Sequence, residues 1–211
     1  MLKIYHVPFS RSVRLIWLCE ALNLRYQKIT IDFSAKYRRS AEWRALNPVG
    51  KVPVLEDGDI TIFESGAIMQ YILEIYGCGR LQPKIGTESH AKFLQWIWFS
   101  EATHSRPLGE IANHLRVFPK PEQNHKVLQE MEERVMLCNL ALENELATKD
   151  FICGDDFTAA DIMIGYSLLL TERLTSLKLL PNLQTYRNRL VHMPGYKISV
   201  EETIPPSDKK P

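Results

Sequence analysis

Strand-like segments occur only in the first 63 residues of this 211-residue chain, and the remainder is helical in pattern. The β-rich runs are residues 2–7, 26–33, 52–55 and 60–63. Helix-like segments follow the first two runs and the last one, the first of them at residues 13–22. The order of segments predicts an α+β domain, β-α-β-α-β-β-α, followed by an all-α helical bundle.

The pairing of the strands follows from the connections between them. Asp57-Gly58 lies between the last two runs and is a strong signal for a tight hairpin, so these two strands are expected to be antiparallel. A helix separates the first two strands, which predicts a parallel pair joined by a right-handed crossover. The sheet is therefore expected to be mixed.

A segment rich in glycine, residues 77–83, marks the end of the strand signals and ends in proline. It places a first domain at residues 1–78, a linker at 79–86 and a helical domain at 87–211. The last residues, about 204–211, are polar and Pro-rich and are expected to form a loose tail.

Helix caps organise the second domain. Thr87 or Ser89 can cap a long helix that runs to about residue 117, and apolar residues spaced by three or four predict another at 122–146. Thr158 and Asp161 have the spacing of a capping box, with Phe157 and Ile162 as its hydrophobic staple. The last helix is expected to begin near a cap at Asn182.

Charge and cysteine content exclude several classes of protein. The 26 basic and 25 acidic residues leave a net charge of +1, so neither a nucleic acid nor a membrane surface is an expected partner. No apolar run is long enough for a membrane span or a secretory signal. The four cysteines are far apart and the histidines lack ligand spacing, which argues against disulfides, a dithiol centre and a metal site. A reduced, cytoplasmic protein is expected.

Polar groups cluster at three places in the first domain. Ser10 begins the first helix, Val52-Pro53 begins the third strand, and Glu64-Ser65 begins the helix after the hairpin. Helix N-termini present free N–H groups that bind anions. Each place also has an ordinary structural interpretation, because serine is a preferred cap and proline is common at strand edges.

Taken together, these places resemble one family, the cytosolic glutathione S-transferases. The resemblance lies in residues 10–18 (SRSVRLIWL), 46–55 (LNPVGKVPVL) and 63–68 (FESGAI), in this order around the hairpin. Residues 157–161 (FTAAD) and 181–194 are similar to the capping motif and last core helix of the family's helical domain. The similarity extends over residues 1 to about 196.

The resemblance implies a thioredoxin-like domain that binds glutathione as co-substrate, with no metal or prosthetic group. The backbone of Val52, before a cis-Pro53, would pair with the cysteinyl unit of glutathione. Glu64 and Ser65 would bind the ammonium and carboxylate of its γ-glutamyl unit. The glycine carboxylate would be reached by Lys51, with assistance from a basic cluster formed by Arg38, Arg39 and Arg44.

Two hydroxyl groups compete as activators of the glutathione thiol. The Ser10-Arg11-Ser12 context is similar to bacterial and fungal transferases with a serine at the start of the first helix, which favours Ser10. An ungapped alignment with pi-type relatives instead puts Tyr5 at the position of a catalytic tyrosine. Cys19 lies inside the predicted helix and is interpreted as a core residue.

The resemblance implies that the protein conjugates glutathione to hydrophobic electrophiles in detoxification, and this activity could extend to glutathione peroxidase activity. It also implies a homodimer. Residues that could shape the electrophile site are Phe9, Glu101, Thr103, Ser105 and Arg106. Two alternatives stay open. The chain could be a non-catalytic binding or assembly module of the same fold, or a glutathione-dependent thiol oxidoreductase.

Overall fold

A computed structural model describes residues 1–201, so the predicted loose tail at 204–211 lies outside the described residues. The chain divides into two compact units. The first contains Met1–Arg80 and the described residues from Val191 onward, and the second contains Leu81–Leu190. In the described part of the chain, no helix is long and apolar enough to cross a membrane.

The first unit contains a four-stranded mixed sheet in the order β2-β1-β3-β4. Its strands are β1 (Leu2–His6), β2 (Tyr26–Thr30), β3 (Val54–Asp57) and β4 (Ile60–Phe63). The β1–β2 pair is parallel, whereas β1–β3 and β3–β4 are antiparallel, as the sequence predicted. Asp57 pairs with Ile60, so the two residues of the turn are Gly58 and Asp59, and Gly58 has a φ of +59°. Glycine adopts such a positive φ without the steric penalty that a side chain brings.

Within the described residues, five helices accompany this sheet: α1 (Ser12–Ala21), α2 (Ala35–Arg38), α3 (Ala41–Leu46), α4 (Ser65–Tyr76) and α10 (Tyr196–Val200). The first eight residues of α1 are all buried, because the helix packs against β1, α4 and α10. This explains why its sequence is apolar on nearly every side.

The segment before α10 joins the first unit through Trp17 of α1. The indole Nε1 of Trp17 donates a hydrogen bond of 2.9 Å to the carbonyl of Pro194, and its ring meets Tyr196 edge-on at 5.0 Å. Gly195 passes so close to α1 that a Cβ there would lie 2.5 Å from the Cβ of Glu20. The structure thus places this segment with the first unit, although the sequence assigned all of 87–211 to the helical domain.

The second unit is wholly helical apart from one isolated bridge. It contains α5 (Glu88–Trp98), a π-helical segment (Phe99–His104), α6 (Ser105–Val117), a 3-10 turn (Lys120–Glu122), α7 (His125–Glu145), α8 (Ala159–Leu174) and α9 (Pro181–Leu190). The single long helix predicted up to about residue 117 is therefore α5, the π segment and α6 in succession. The mixed sheet of the first unit and the helices of the second unit confirm the predicted fold class.

The capping box at the start of α8 is present. Asp161 is fully buried, and its carboxylate accepts hydrogen bonds from the N–H and hydroxyl of Thr158, at 2.8 and 2.9 Å. It also accepts from the N–H of Ile152 at 2.8 Å and from the hydroxyl of Tyr186 at 2.7 Å. The side chain that closes the box therefore also joins α8 to α9 and to the preceding loop.

The predicted cap at Asn182 is wrong. Helix α9 begins at Pro181, and the carboxylate of Glu143 on α7 accepts from the N–H groups of Asn182 and Leu183, at 3.1 and 2.8 Å. A carboxylate from a distant helix thus satisfies the free donors of this N-terminus, which no local sequence signal reveals.

Candidate glutathione site

The register of the sheet brings the three predicted places to one end of the first unit. Tyr5 pairs with Val54, and Val54 pairs with Phe63. Val52-Pro53 therefore precedes β3 at the same end at which Glu64-Ser65 follows β4. The loop after β1, which carries Ser10, leaves the sheet at this end as well.

Ser10 lies half-buried just before α1, and its hydroxyl is held by its neighbours. Its Oγ donates to the carbonyl of Val7 at 2.7 Å and accepts from the N–H of Ser12 at 3.3 Å. It also lies 2.6 Å from the Oγ of Ser12. The adjacent Phe9 has a φ of +65°, a conformation that non-glycine residues rarely adopt and that is frequent at functional sites. The hydroxyl thus lies at the helix N-terminus that the sequence predicted.

Tyr5, the rival activator, has its hydroxyl committed elsewhere. The hydroxyl donates to Oε2 of Glu56 at 2.8 Å, and Lys3 forms an ion pair with the same carboxylate at 3.5 Å. Burial and the hydrogen bond to Glu56 raise the pKa of Tyr5 to about 12. A phenol that already donates to a carboxylate has no second proton for a thiolate. This geometry favours Ser10.

The peptide bond between Val52 and Pro53 is cis, as the resemblance implies. Val52 is half-buried and precedes the first paired residue of β3, Val54. The loop before it is held by the buried side chain of Asn47, whose Nδ2 donates to the carbonyl of Lys51 at 2.9 Å and whose Oδ1 accepts from the N–H of Val49 at 3.0 Å. Asn47 is a supporting residue that the sequence analysis missed, although an Asn-Pro pair is a known turn signal.

Glu64 and Ser65 form the start of α4. Glu64 is exposed and has φ 78° and ψ 112°, whereas Ser65 is buried with 2% exposed. The positive φ of a non-glycine residue persists only where its surroundings hold it. It puts an exposed carboxylate directly before a helix N-terminus, and the two offer a negative and a positive partner side by side.

Arg14 is a residue of the candidate site that the sequence analysis did not identify. Its side chain is fully buried in α1, and its Nη1 donates to the Oγ of Ser65 at 3.3 Å. A buried guanidinium beside a helix N-terminus gives this place a strong preference for an anion. The signal in the sequence was a single arginine inside an otherwise apolar helix.

Three arginines of the predicted basic cluster share a small cavity. Arg38, Arg39 and Arg44 line about 120 Å³ together with Ala35, Val49 and Gly50. Gly50 has a φ of +65°, and a Cβ there would lie 2.6 Å from the carbonyl oxygen of Arg38, so only glycine fits. Lys51 follows directly and is exposed. The cavity therefore offers positive charge next to the loop that leads to Val52.

The residues predicted for an electrophile site belong to different units. Phe9 lies in the first unit. Glu101 and Thr103 lie in the π-helical segment of the second, and Ser105 and Arg106 begin α6. Ser105 is buried, whereas Thr103 and Arg106 are exposed. Isolated π segments often occur at functional sites.

Comparisons with known proteins give matches in both units of the chain. The N-terminal domain of glutathione S-transferases matches residues 1–74, and their C-terminal domain matches residues 106–194. A glutathione S-transferase of Arabidopsis thaliana is 31% identical over 170 residues, which cover 77% of each chain. An elongation factor 1-gamma of Prunus avium is 30% identical over 193 residues, which cover 82% of this chain and 43% of that protein.

A solved structure shows the same fold. The crystal structure of a glutathione transferase from Phanerochaete chrysosporium, in complex with oxidized glutathione, has a TM-score of 0.86 and 24% identity, with 96% of each chain covered. The domain matches, the identity to the plant enzyme and the fold lead to one conclusion. This chain belongs to the glutathione S-transferase family.

Proposed function

We propose that this protein binds glutathione and transfers it to hydrophobic electrophiles. The observation that carries the proposal is the hydrogen bond from buried Arg14 to Ser65 at the N-terminus of α4, beside the exposed carboxylate of Glu64. An α-amino acid carries one carboxylate and one ammonium, and this place offers a partner to each.

Glutathione fits the remaining groups along the same end of the sheet. Its γ-glutamyl carboxylate would bind Ser65, with Arg14 behind it, and its ammonium would bind Glu64. The cysteinyl backbone would pair with Val52, and the glycine carboxylate would meet the basic cluster around the 120 Å³ cavity, with Lys51 at its edge. The ammonium of glutathione would thus meet a negative group, and both of its carboxylates would lie near positive groups.

Ser10 would then stabilise the thiolate. A thiol with a pKa near 8.5 is only about 3% ionised at pH 7. One hydroxyl that donates to the thiolate contributes about 1.5–3 kcal/mol, and a helix N-terminus about 0.3–1 kcal/mol more. At 1.36 kcal/mol per unit these contributions lower the thiol pKa by roughly one to three units. With a shift of more than about 1.5 units, over half of the bound glutathione would be thiolate at pH 7.

The chemical step needs no further group on the protein. The thiolate sulfur forms a bond to the electrophilic carbon, and the leaving group departs with its electron pair. With a hydroperoxide as substrate the thiolate sulfur would attack the terminal peroxide oxygen, and the O–O bond would break to release the alcohol. A second glutathione would then reduce the resulting sulfenic acid, which gives glutathione disulfide and water. Phe9 and the residues around the π segment, Glu101, Thr103, Ser105 and Arg106, are the candidates for binding the electrophile. Detoxification of such compounds by a homodimer is part of this proposal.

A second candidate function is a non-catalytic binding or assembly module. The match to elongation factor 1-gamma favours it, because there a similar segment is part of a protein that is not named as a transferase. A thiol oxidoreductase is less well supported. Burial raises the pKa of both Cys19 and Cys153 to about 12, and a serine occupies position 10.

Titration calorimetry with glutathione, followed by turnover of a chlorodinitrobenzene-type electrophile, tests the proposal. We expect Ser65→Ala to raise the dissociation constant of glutathione about ten- to a hundredfold, because a bound carboxylate loses a hydroxyl donor. Ser65→Thr keeps the hydroxyl and serves as the matched control. Binding without turnover would support the module, disulfide exchange without conjugation would support the oxidoreductase, and no binding would contradict the glutathione site.

A further inference from the structure

Ser10 is the outer end of a chain of three hydrogen-bonding side chains that leads into the core of the first unit. Its Oγ lies 2.6 Å from the Oγ of Ser12, which in turn lies 2.8 Å from Nδ1 of His6. Ser12 and His6 are buried, with 0% and 1% exposed. His6 ends β1 and Ser12 begins α1, so this chain of hydrogen bonds spans the loop that carries Ser10.

The number of protons in this chain decides where the Ser10 proton can go. Each serine has one hydroxyl proton, and a neutral imidazole has one N–H. If Nδ1 of His6 carries the lone pair, Ser12 donates to it, and Ser10 donates to Ser12, because two hydroxyl oxygens 2.6 Å apart need a proton between them. If Nδ1 carries the proton, His6 donates to Ser12. Ser12 then donates to Ser10 at 2.6 Å in preference to the carbonyl of Val7 at 3.4 Å.

In the second arrangement Ser10 accepts from Ser12, and its own proton is available to the carbonyl of Val7 or to another acceptor. A thiolate competes well for that proton, because hydrogen bonds to charged acceptors are about twice as strong as those to neutral ones. Hydrogen bonds in a chain also polarise one another, so a hydroxyl that accepts from Ser12 is a better donor. The direction of the whole chain is therefore set at Nδ1 of His6.

We propose that His6 and Ser12 are positioning residues that direct the Ser10 proton toward the thiolate of bound glutathione, with Nδ1 of His6 protonated in that state. The proposal rests on the proposed function. Neither residue touches the sulfur in this arrangement; both act through Ser10.

The absorbance of the thiolate near 240 nm, measured against pH for bound glutathione, tests whether the hydrogen bonds from His6 through Ser12 to Ser10 affect the thiol pKa. Ser10→Ala should raise the pKa of the bound thiol by about one to two units. Ser12→Ala should raise it by about half a unit, because it removes only the polarising and orienting bond. In the Ser10→Ala background, Ser12→Ala should add no shift. An equal shift in both backgrounds, or none in the wild-type background, would overturn the proposal.

Variants of His6 provide a rescue test. His6→Leu removes the donor and should shift the thiol pKa as Ser12→Ala does, whereas His6→Asn can place an amide N–H near the position of Nδ1 and should restore it. The matched control is Ser167→Ala, which breaks a buried serine pair of the second unit, Ser100 and Ser167 at 3.0 Å, and should leave the thiol pKa unchanged. If Leu and Asn behave alike, the donor at position 6 is not required and the proposal fails.

Nitrogen chemical shifts of His6 in the wild-type protein give an answer that does not depend on how the variants fold. With glutathione bound, we expect a proton on Nδ1. A lone pair on Nδ1 in that complex would overturn the proposal and leave the glutathione site intact. A wild-type protein that shows no thiolate absorbance would instead contradict the proposed function, and with it this proposal.

Discussion

The hydrogen bonds of the buried Asp161 carboxylate predict how much stability is lost when they are removed. It accepts from Thr158 twice and from Ile152 and Tyr186 once each. Thr158→Ala removes one of these donors and the cap of α8. We expect a loss of about 1 kcal/mol in the free energy of unfolding, the usual effect of losing a Thr cap. For a chain of this size that is a fall of about 2–4 °C in Tm.

Asp161→Ala should be more damaging. It leaves the N–H groups of Thr158 and Ile152 and the hydroxyl of Tyr186 without their acceptor, and each buried unsatisfied group costs about 1–3 kcal/mol. Relief from burying a charge offsets part of this, since burial raises the pKa of Asp161 despite its four donors. We expect a net loss of about 3 kcal/mol.

The raised pKa of Asp161 also determines how the free energy of unfolding changes with pH. The folded state holds the Asp161 proton more tightly than the unfolded state, so this group contributes stability below the ordinary pKa of an aspartate. That contribution is lost as the pH rises from the ordinary pKa to the raised one. Asp161→Asn cannot titrate and should not show this dependence.

Urea unfolding of Thr158→Ala, Thr158→Ser and Asp161→Ala, followed by circular dichroism, measures these effects. Thr158→Ser keeps the hydroxyl and should retain most of the stability. The double variant Thr158→Ala/Asp161→Ala should be about 1 kcal/mol less destabilised than the sum of its parts, because both changes break the same bond. Equal midpoints for Thr158→Ala and Thr158→Ser would refute the role of the hydroxyl. Glutathione affinity should change little in any of these variants.

Further predictions concern the first unit and the assembly. Gly195→Ala should destabilise the protein by about 1–3 kcal/mol in urea unfolding, because its Cβ would lie 2.5 Å from the Cβ of Glu20 at a φ of +82°; a midpoint equal to wild type would show that α10 does not dock this way. The hydrogen bond to Asp57 raises the pKa of Tyr76 to about 12, so Asp57→Asn should bring the ultraviolet titration of Tyr76 toward its ordinary value, and an unchanged titration would assign the shift to burial. Light scattering should give about twice 24.4 kDa if the protein is a homodimer, and a mass near 24.4 kDa across micromolar concentrations would contradict that assembly.

The sequence predicted the elements whose signals are local. Alternation of apolar residues gave the strands, Asp57-Gly58 gave the hairpin, and the spacing of Thr158 and Asp161 gave the capping box. The strand bounds moved by a few residues, since β2 ends at Thr30 rather than 33 and β3 begins at Val54 rather than 52. Such bounds depend on neighbouring strands, which periodicity does not describe.

What the sequence did not predict depends on contacts between distant segments. Arg14 became part of the candidate site only through its contact with Ser65, 51 positions away. Glu143 caps α9 from a different helix, and α10 packs on α1 rather than on the helices that precede it in the chain. The Ser12–His6 contact spans only six positions, but it too joins the end of a strand to the start of a helix across a loop that no pattern describes. None of these has a local motif, because a single buried polar residue has the same sequence context whether or not a partner reaches it.

Ionisation of bound glutathione tests the central claim most directly. Thiolate absorbance near 240 nm is measured against pH for the wild-type protein, Ser10→Ala and Tyr5→Phe, each saturated with glutathione. We predict a wild-type thiol pKa roughly one to three units below that of free glutathione, a rise of one to two units in Ser10→Ala, and almost no change in Tyr5→Phe. A shift in Tyr5→Phe without one in Ser10→Ala would contradict the account and make Tyr5 the activating residue.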